Sequence, residues 1–160
     1  LELLDIIKVL NPLEKGPEDL KNRSVFLAGQ LFEMTKKAKK GQGEKLAREI
    51  LDSGKAFEKF QEIISAQKGT IKNIKLSMFK KDIISKSNCK IKEINNKKIN
   101  LLARVAGCPT DKGSGLYLYF HVGNKVNKGN KILTIYSDSK PRLKEALKFY
   151  NKEKPIQFSK

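Results

Sequence analysis

The hydrophobic period of this chain changes once, near Gly69, and that change constrains the fold more than any other feature. Before it, apolar residues recur at helical spacing; after it, short stretches alternate with the period of a strand. Charge changes at the same place. Residues 1–69 carry a net charge of +2, whereas residues 70–160 carry +15 of the total +17. A chain of 160 residues is long enough for one domain or two small ones. The expected class is therefore α+β, with a helical segment over residues 1–69 and a C-terminal α+β domain over residues 70–160.

The helical segment reads as four helices. Residues 1–10 are apolar around most of a helix, which predicts burial on more than one side, and Asn11-Pro12 ends the run. Pro17, Glu18 and Asp19 suit a helix start, and the second helix is expected over residues 17–39, closing in a lysine cluster that complements the helix dipole. Two more are expected over residues 44–53 and 56–67, the latter with Phe57, Phe60, Ile63 and Ile64 on one face. The first residue, Leu1, stands inside an apolar helical pattern, and the chain is read as starting at a cut.

Beyond Gly69, residues 82–86 and 90–94 are expected as strands around a turn at Ser87-Asn88, with a further turn at Asn95-Asn96. A short helix runs to Ala106 and closes at Gly107. Residues 116–122 form the clearest strand, 131–136 its expected partner, and a last helix begins near Pro141.

Several functions are excluded or left weak. No apolar run reaches the ~18 residues of a membrane span, and no signal-peptide pattern opens the chain. Cys89 and Cys108 lie apart without a CxxC pair, and His121 is the single histidine, so no metal site and no Ser-His-Asp arrangement is indicated. A lysine-rich nucleic-acid-binding module is the alternative reading of the basic half, with Tyr117, Tyr119 and Phe120 as candidate stacking residues. Its cations are spread rather than clustered, and almost all are lysine.

The segment His121 to Ile135, HVGNKVNKGNKILTI, contains G-x-x-V-x-x-G. Gly123 and Gly129 permit tight turns while Val126 fills the space between them, a device shared by barrel-sandwich hybrid domains. A lipoyl- or biotinyl-type carrier also needs a lysine at a second hairpin tip. Lys140 is one residue late, and Pro141 and a helix follow it.

The wider run over residues 101–139 resembles the C-terminal domain of the pyrimidine-nucleoside phosphorylase (thymidine phosphorylase) family. The signs are A-R-x-A-G-x-P-x-D-K-G-x-G over residues 103–115, then G-x-x-V-x-x-G, then Ile135-Tyr136 before the last helix. The likeness is to the long branch, that of the archaeal AMP phosphorylases and the thymidine-phosphorylase-like proteins grouped with them. Upstream, G-P-E-D-L at residues 16–20, L-A-G at 27–29, S-G-K-A-F-E-K-F at 53–60 and A-Q-K-G at 66–69 fall in the same order.

The resemblance implies a barrel-sandwich-hybrid-like (α/β hammerhead) C-terminal domain, with residues 1–69 belonging to a larger catalytic α/β part. It implies a cytoplasmic homodimeric pentosyltransferase that uses phosphate to cleave a nucleoside or nucleotide into base and (deoxy)ribose 1-phosphate, with inorganic phosphate as co-substrate and no cofactor. The family's glycine-rich phosphate loop and its base-recognition segment have no counterpart here, so the chain alone is expected to be inactive and no catalytic residue or metal ligand is assigned. Arg23 falls where the long branch has a nucleotide-contacting lysine and is the one candidate substrate-binding residue. Asp5 falls near a cation-holding glutamate of some short-branch enzymes, but its partner ligands would precede Leu1. Lys112, Gly113 and Gly115 are read as turn chemistry. The resemblance also predicts uncovered apolar patches, or self-association, in the isolated chain.

Overall fold

Twelve elements appear in the order α1 (Glu2–Leu10), α2 (Glu18–Met34), α3 (Gly43–Asp52), α4 (Lys55–Ala66), β1 (Phe79–Ile84), β2 (Cys89–Ile94), α5 (Asn96–Ala106), β3 (Gly115–Leu118), β4 (Lys125–Val126), β5 (Lys131–Ser137), α6 (Lys140–Glu153) and β6 (Ile156–Ser159). They come from a computed structural model that describes residues 2–72 and 74–159. Leu1, with which the expected first helix opens, lies outside the described residues. The class is α+β, and the chain divides into a helical unit, Glu2–Ile74, and a mixed unit that starts at Lys75.

Contact between α2 and α3 is backbone to backbone. A Cβ on Gly29 would stand 2.6 Å from the Glu44 amide nitrogen, and one on Gly43 would overlap the Gly29 carbonyl. Only glycine allows so close an approach. Around it lies a small core of Val25, Ala47 and Leu51, with Leu10, Ala28, Phe32 and Ala56 packed against it.

The second helix stops at Met34, not at Lys39 as the periodicity predicts. Thr35 Oγ1 donates to the Leu31 carbonyl at 2.8 Å, Lys36 turns left-handed at φ 58°, and the Lys37 and Ala38 amides both donate to the Phe32 carbonyl. These bonds close the helix end before the lysines can continue it. Glu33 then fixes the turn, because its carboxylate accepts from the amides of Gly41 at 3.0 Å and Gly43 at 2.9 Å. The Gly43 amide, and after it that of Gly41, holds the Glu33 carboxyl below the usual carboxylate range. A depressed acid stabilises the fold above its unfolded pKa and loses that contribution as pH falls through the folded one. Glu33→Gln is therefore expected to lower the melting temperature of the helical unit near neutral pH and to match the parent once acid has protonated Glu33. A thermal melt across that pH range checks it, and an equal deficit at every pH would refute it.

The first helix departs from its expected burial on several sides. Val9 alone is buried there, while Leu3 and Ile6 are exposed. The outer face of α2 is likewise uncovered: Leu27 is 54% exposed, Leu31 59% and Met34 78%. Uncovered apolar patches are what the resemblance leads one to expect.

In the mixed unit two three-stranded antiparallel sheets, ordered β1-β5-β3 and β4-β2-β6, share one core. Each element but two supplies a fully buried apolar residue: Ile91 from β2, Leu102 and Ala106 from α5, Val126 from β4, Leu133 and Ile135 from β5, Ala146 from α6 and Ile156 from β6. Ile83 and Leu116 pack on it from β1 and β3. The expected pairing of 116–122 with 131–136 is present as β3 on β5, Leu116 opposite Ile135. Strands β1 and β2 do not pair with each other; the segment between them carries the chain from one sheet to the other.

The strand expected over 116–122 ends at Leu118, because a turn at residues 121–124 draws the chain away from β5. A second turn of the same build follows at residues 127–130. In each, the first residue's carbonyl accepts from the fourth residue's amide, and the fourth residue, an asparagine, takes the first residue's amide on its side-chain oxygen: His121 on Asn124 at 2.8 Å, Asn127 on Asn130 at 2.9 Å. The third residue is a glycine at φ 90° or 89°, the conformation a type II turn requires. The glycine amide of each turn then donates to the carbonyl of a residue whose own amide returns a bond to the neighbouring asparagine carbonyl. Gly123 and Asn124 clamp Ile91 in this way, and Gly129 and Asn130 clamp Ser85. Val126, held between the turns, is 1% exposed.

Two further boundaries differ from the expected ones, and one strand has no expected counterpart. The strand expected over 82–86 begins at Phe79 and ends at Ile84, where pairing with β5 is irregular. The Asn95-Asn96 turn is a helix cap, with the Asn95 side chain accepting from the Lys98 amide at 3.1 Å. The short edge strand β6 pairs with β2, although four residues after Pro155 are too few to show a period. Lys140 opens α6 with its ammonium 5.4 Å from the Phe79 ring centre and is not at a hairpin tip.

Candidate functional site

Arg23 lies on α2, exposed, and among the described residues no acid pairs with it. Helical spacing sets it on one stripe with Leu20, Leu27, Leu31 and Met34, all of them exposed. The rigid fork of a guanidinium can take two oxygens of an anionic group at once. Asp5, in the first turn of α1, has no described ion-pair partner. Among the described residues no three His, Cys, Asp or Glu side chains gather as a metal group would need.

The motif over residues 103–115 builds the loop after α5. Asp111 donates its amide to the Gly107 carbonyl and accepts from the Ser114 amide, each at 2.9 Å. The Asp111 carboxylate pairs with Arg142 of α6. Ser114 Oγ accepts from the Asp138 amide at 3.1 Å and shares a hydrogen bond with Ser77 Oγ, while the Gly113 carbonyl accepts from the Ser77 amide. Ser137, fully buried in β5, donates to the Ala106 carbonyl at 2.7 Å. The loop thus joins α5, β5 and α6, and its amides at 107, 108, 111 and 114 all point to carbonyls within the chain. Lys112 and Gly113 lie in its turn and Gly115 opens β3.

His121 is exposed in a turn, and both cysteines are free thiols, half-buried. No helix among the described residues is long and apolar enough to cross a membrane.

One polar group escapes any reading of the sequence. On the face of the β1-β5-β3 sheet, Asp82 accepts from Thr134 at 2.7 Å and pairs with Lys131 at 2.7 Å, and Tyr119 shares a hydrogen bond with Thr134 at 3.0 Å. The Lys131 hydrogen bond, and next that of Thr134, holds the Asp82 carboxyl below its usual range, and Asp82 in turn raises Lys131. Asp82 and Thr134 are 52 positions apart and meet only through the register of β1 on β5.

Residues 90–157 match the family described as the pyrimidine nucleoside phosphorylase C-terminal domain. With the motifs of both units in the order read from the sequence, the match and the relatives below support a pyrimidine nucleoside phosphorylase family for this chain. Similar relatives include an AMP phosphorylase of Methanococcus aeolicus, 44% identical over 160 residues, covering 98% of this chain and 32% of the relative. An AMP phosphorylase of Methanococcoides burtonii is 42% identical, with 98% of the chain and 31% of the relative covered. A Legionella pneumophila (strain Corby) protein named putative thymidine phosphorylase is 38% identical over 146 residues, 91% of the chain and 28% of the relative. The chain spans about a third of the length of these relatives.

Proposed function

We propose that this chain is the C-terminal portion of a nucleoside phosphorylase. The observation that carries the reading is the match of residues 90–157 to the phosphorylase C-terminal domain, beside relatives named AMP phosphorylase and putative thymidine phosphorylase. The reaction is pentosyl transfer to inorganic phosphate: a phosphate oxygen bonds to C1′ as the C1′–N bond breaks, and the electron pair leaves with the base, which takes up a proton. Free base and (deoxy)ribose 1-phosphate result. Positioning of phosphate beneath C1′ and stabilisation of the departing base are the physical tasks, and neither calls for a metal or organic cofactor.

Within this reading the mixed unit is a scaffold. Two small sheets on one core, pinned by a glycine hairpin, support a barrel-sandwich (hammerhead) assignment for it. The helical unit belongs to the catalytic α/β part, and the uncovered stripe of α2 packs against the remainder of a homodimeric enzyme of the cytoplasm. Arg23 on that stripe binds an anionic group of the substrate. The substrate is thymidine, a related nucleoside, or a nucleoside 5′-monophosphate; an arginine favours the last, because a 5′-phosphate offers it a bidentate partner.

The test is phosphate-dependent release of base from thymidine, uridine and AMP by a protein that carries this chain as its C-terminal third. Arg23→Ala is expected to raise KM for the favoured substrate about tenfold or more while changing kcat less, the signature of lost binding to a charged group. The 160-residue chain alone is expected to release no base. Turnover by that chain alone, or no phosphorolysis of any of the three by the longer protein, would overturn the proposal.

A further inference from the structure

Three apolar side chains form a straight seam on the uncovered side of α2. Leu20, Leu27 and Met34 follow one another at seven-residue intervals and are 36%, 54% and 78% exposed. That interval keeps side chains on the line along which one helix packs on another. Leu31, also exposed, lies beside Leu27 and Met34, and Arg23 and Ser24 lie between Leu20 and Leu27. The far side of the helix is already in use, since Val25 and Gly29 are buried there.

The seam is symmetric about Leu27. Leu20 and Met34 stand seven residues to either side of it; Ser24 and Gln30, both polar, fall at equal distances, as do Arg23 and Leu31. A second α2 laid antiparallel about a two-fold axis at Leu27 therefore sets Leu27 on Leu27 and Leu20 on Met34 of the second copy. The charges favour the same direction. Glu18 and Asp19 open the helix, the Lys21 ammonium near them is held by Asp52, and Glu14 and Lys15 in the preceding loop cancel. Lys36, Lys37, Lys39 and Lys40 follow the other end, all exposed, and Glu33 there is taken up by the Gly41 and Gly43 amides. Antiparallel pairing brings the acidic start of each helix to the lysines of the other and opposes the two dipoles, whereas parallel pairing sets lysines on lysines.

We infer that the uncovered side of α2 is a two-fold interface with α2 of a second copy of this chain, antiparallel and centred on Leu27. A surface that is its own complement about one residue is what an isologous contact requires; an unrelated segment would leave that symmetry without a purpose. Arg23 stands at the margin of the seam, so its stem lies along Leu31 of the second copy while the guanidinium stays at the rim, open to an anion. The pairing rests on the dimeric reading given above but not on phosphorolysis: a chain that pairs without releasing base keeps it.

Cysteine cross-linking under mild oxidation tests the pairing, in the 160-residue chain and in the longer protein, each carrying Cys89→Ala and Cys108→Ala. Leu27→Cys is expected to give a disulfide-linked dimer, because a residue on the two-fold of helices packed about 8–10 Å apart comes within disulfide reach of itself. Leu20→Cys alone and Met34→Cys alone are expected to give none, while the two together link. Without added cysteines, sedimentation of the 160-residue chain is expected to show dimers at about 100 µM, the range of a small interface. Leu27→Glu is expected to weaken them about tenfold or more, with the helical circular dichroism of the monomer retained because the residue is half exposed. Ile63→Glu alters an exposed apolar residue of α4, outside the seam, and is expected to leave the dimer unchanged. Four results would each overturn the inference: a monomer at that concentration; equal linking through residues 20, 27 and 34 as single cysteines; an equal effect of Ile63→Glu; or linking in the 160-residue chain but not in the longer protein, which would assign the seam to the rest of the same chain.

Discussion

Gly43→Ala is expected to cost the helical unit at least about 3 kcal/mol, enough to unfold it. The added methyl overlaps the Gly29 carbonyl, so relief requires α2 and α3 to move apart as whole helices. Overpacking of side chains costs about 1–3 kcal/mol where neighbours can adjust, and a backbone carbonyl adjusts less. Separation of the two helices also opens a small core, in which Val25, Ala47 and Leu51 are the buried apolar residues among those described. The measurement is hydrogen exchange: amides of α2 and α3 should lose protection while those of β5 keep theirs. An unchanged melting temperature with full protection in α2 would show that the backbones do not touch.

Leu133→Ala carries the second large effect, in the mixed unit. Leu133 is 0% exposed at the middle of β5, the strand that pairs with both β1 and β3 and lies against both α5 and α6. Neighbours fixed by two ladders cannot collapse into the space, so the loss should fall in the upper part of the range of about 2–5 kcal/mol for such truncations. Urea unfolding with an unchanged slope and a lower midpoint checks it. A shift under about 1 kcal/mol would mean that the two sheets do not share one core.

The sequence made the fold class and most elements readable, for reasons visible at particular residues. Helical spacing in α3 and α4 and alternation at Leu116 and Leu118 are local signals, and they describe what formed. Ends were less readable. The lysine cluster at 36, 37, 39 and 40 looks like the tail of α2 because nothing in its composition reveals that Thr35 and Lys36 turn the chain back on Phe32. Val122 looked like strand because its alternation continues past the point where the turn begins. Partners were the least readable: β1 and β2 flank a turn as a hairpin would, yet each pairs elsewhere, and the Asp82–Thr134 contact is a product of that pairing. Of the candidate site, Arg23 was legible only through the resemblance.

The paired turns at residues 121–124 and 127–130 set a length rule for this fold. Gly123 and Gly129 are six positions apart, and so are the residues they grip, Ile91 and Ser85, in the reverse direction. The hairpin therefore meets the stretch from Ser85 to Ile91 as a buckle with two prongs meets two holes. A slip of one residue would free both prongs together and swing Val126 away from the interior, so partial misalignment has no foothold. Chains of this kind can vary in the residues exposed between the prongs, but they have no freedom to lengthen either side.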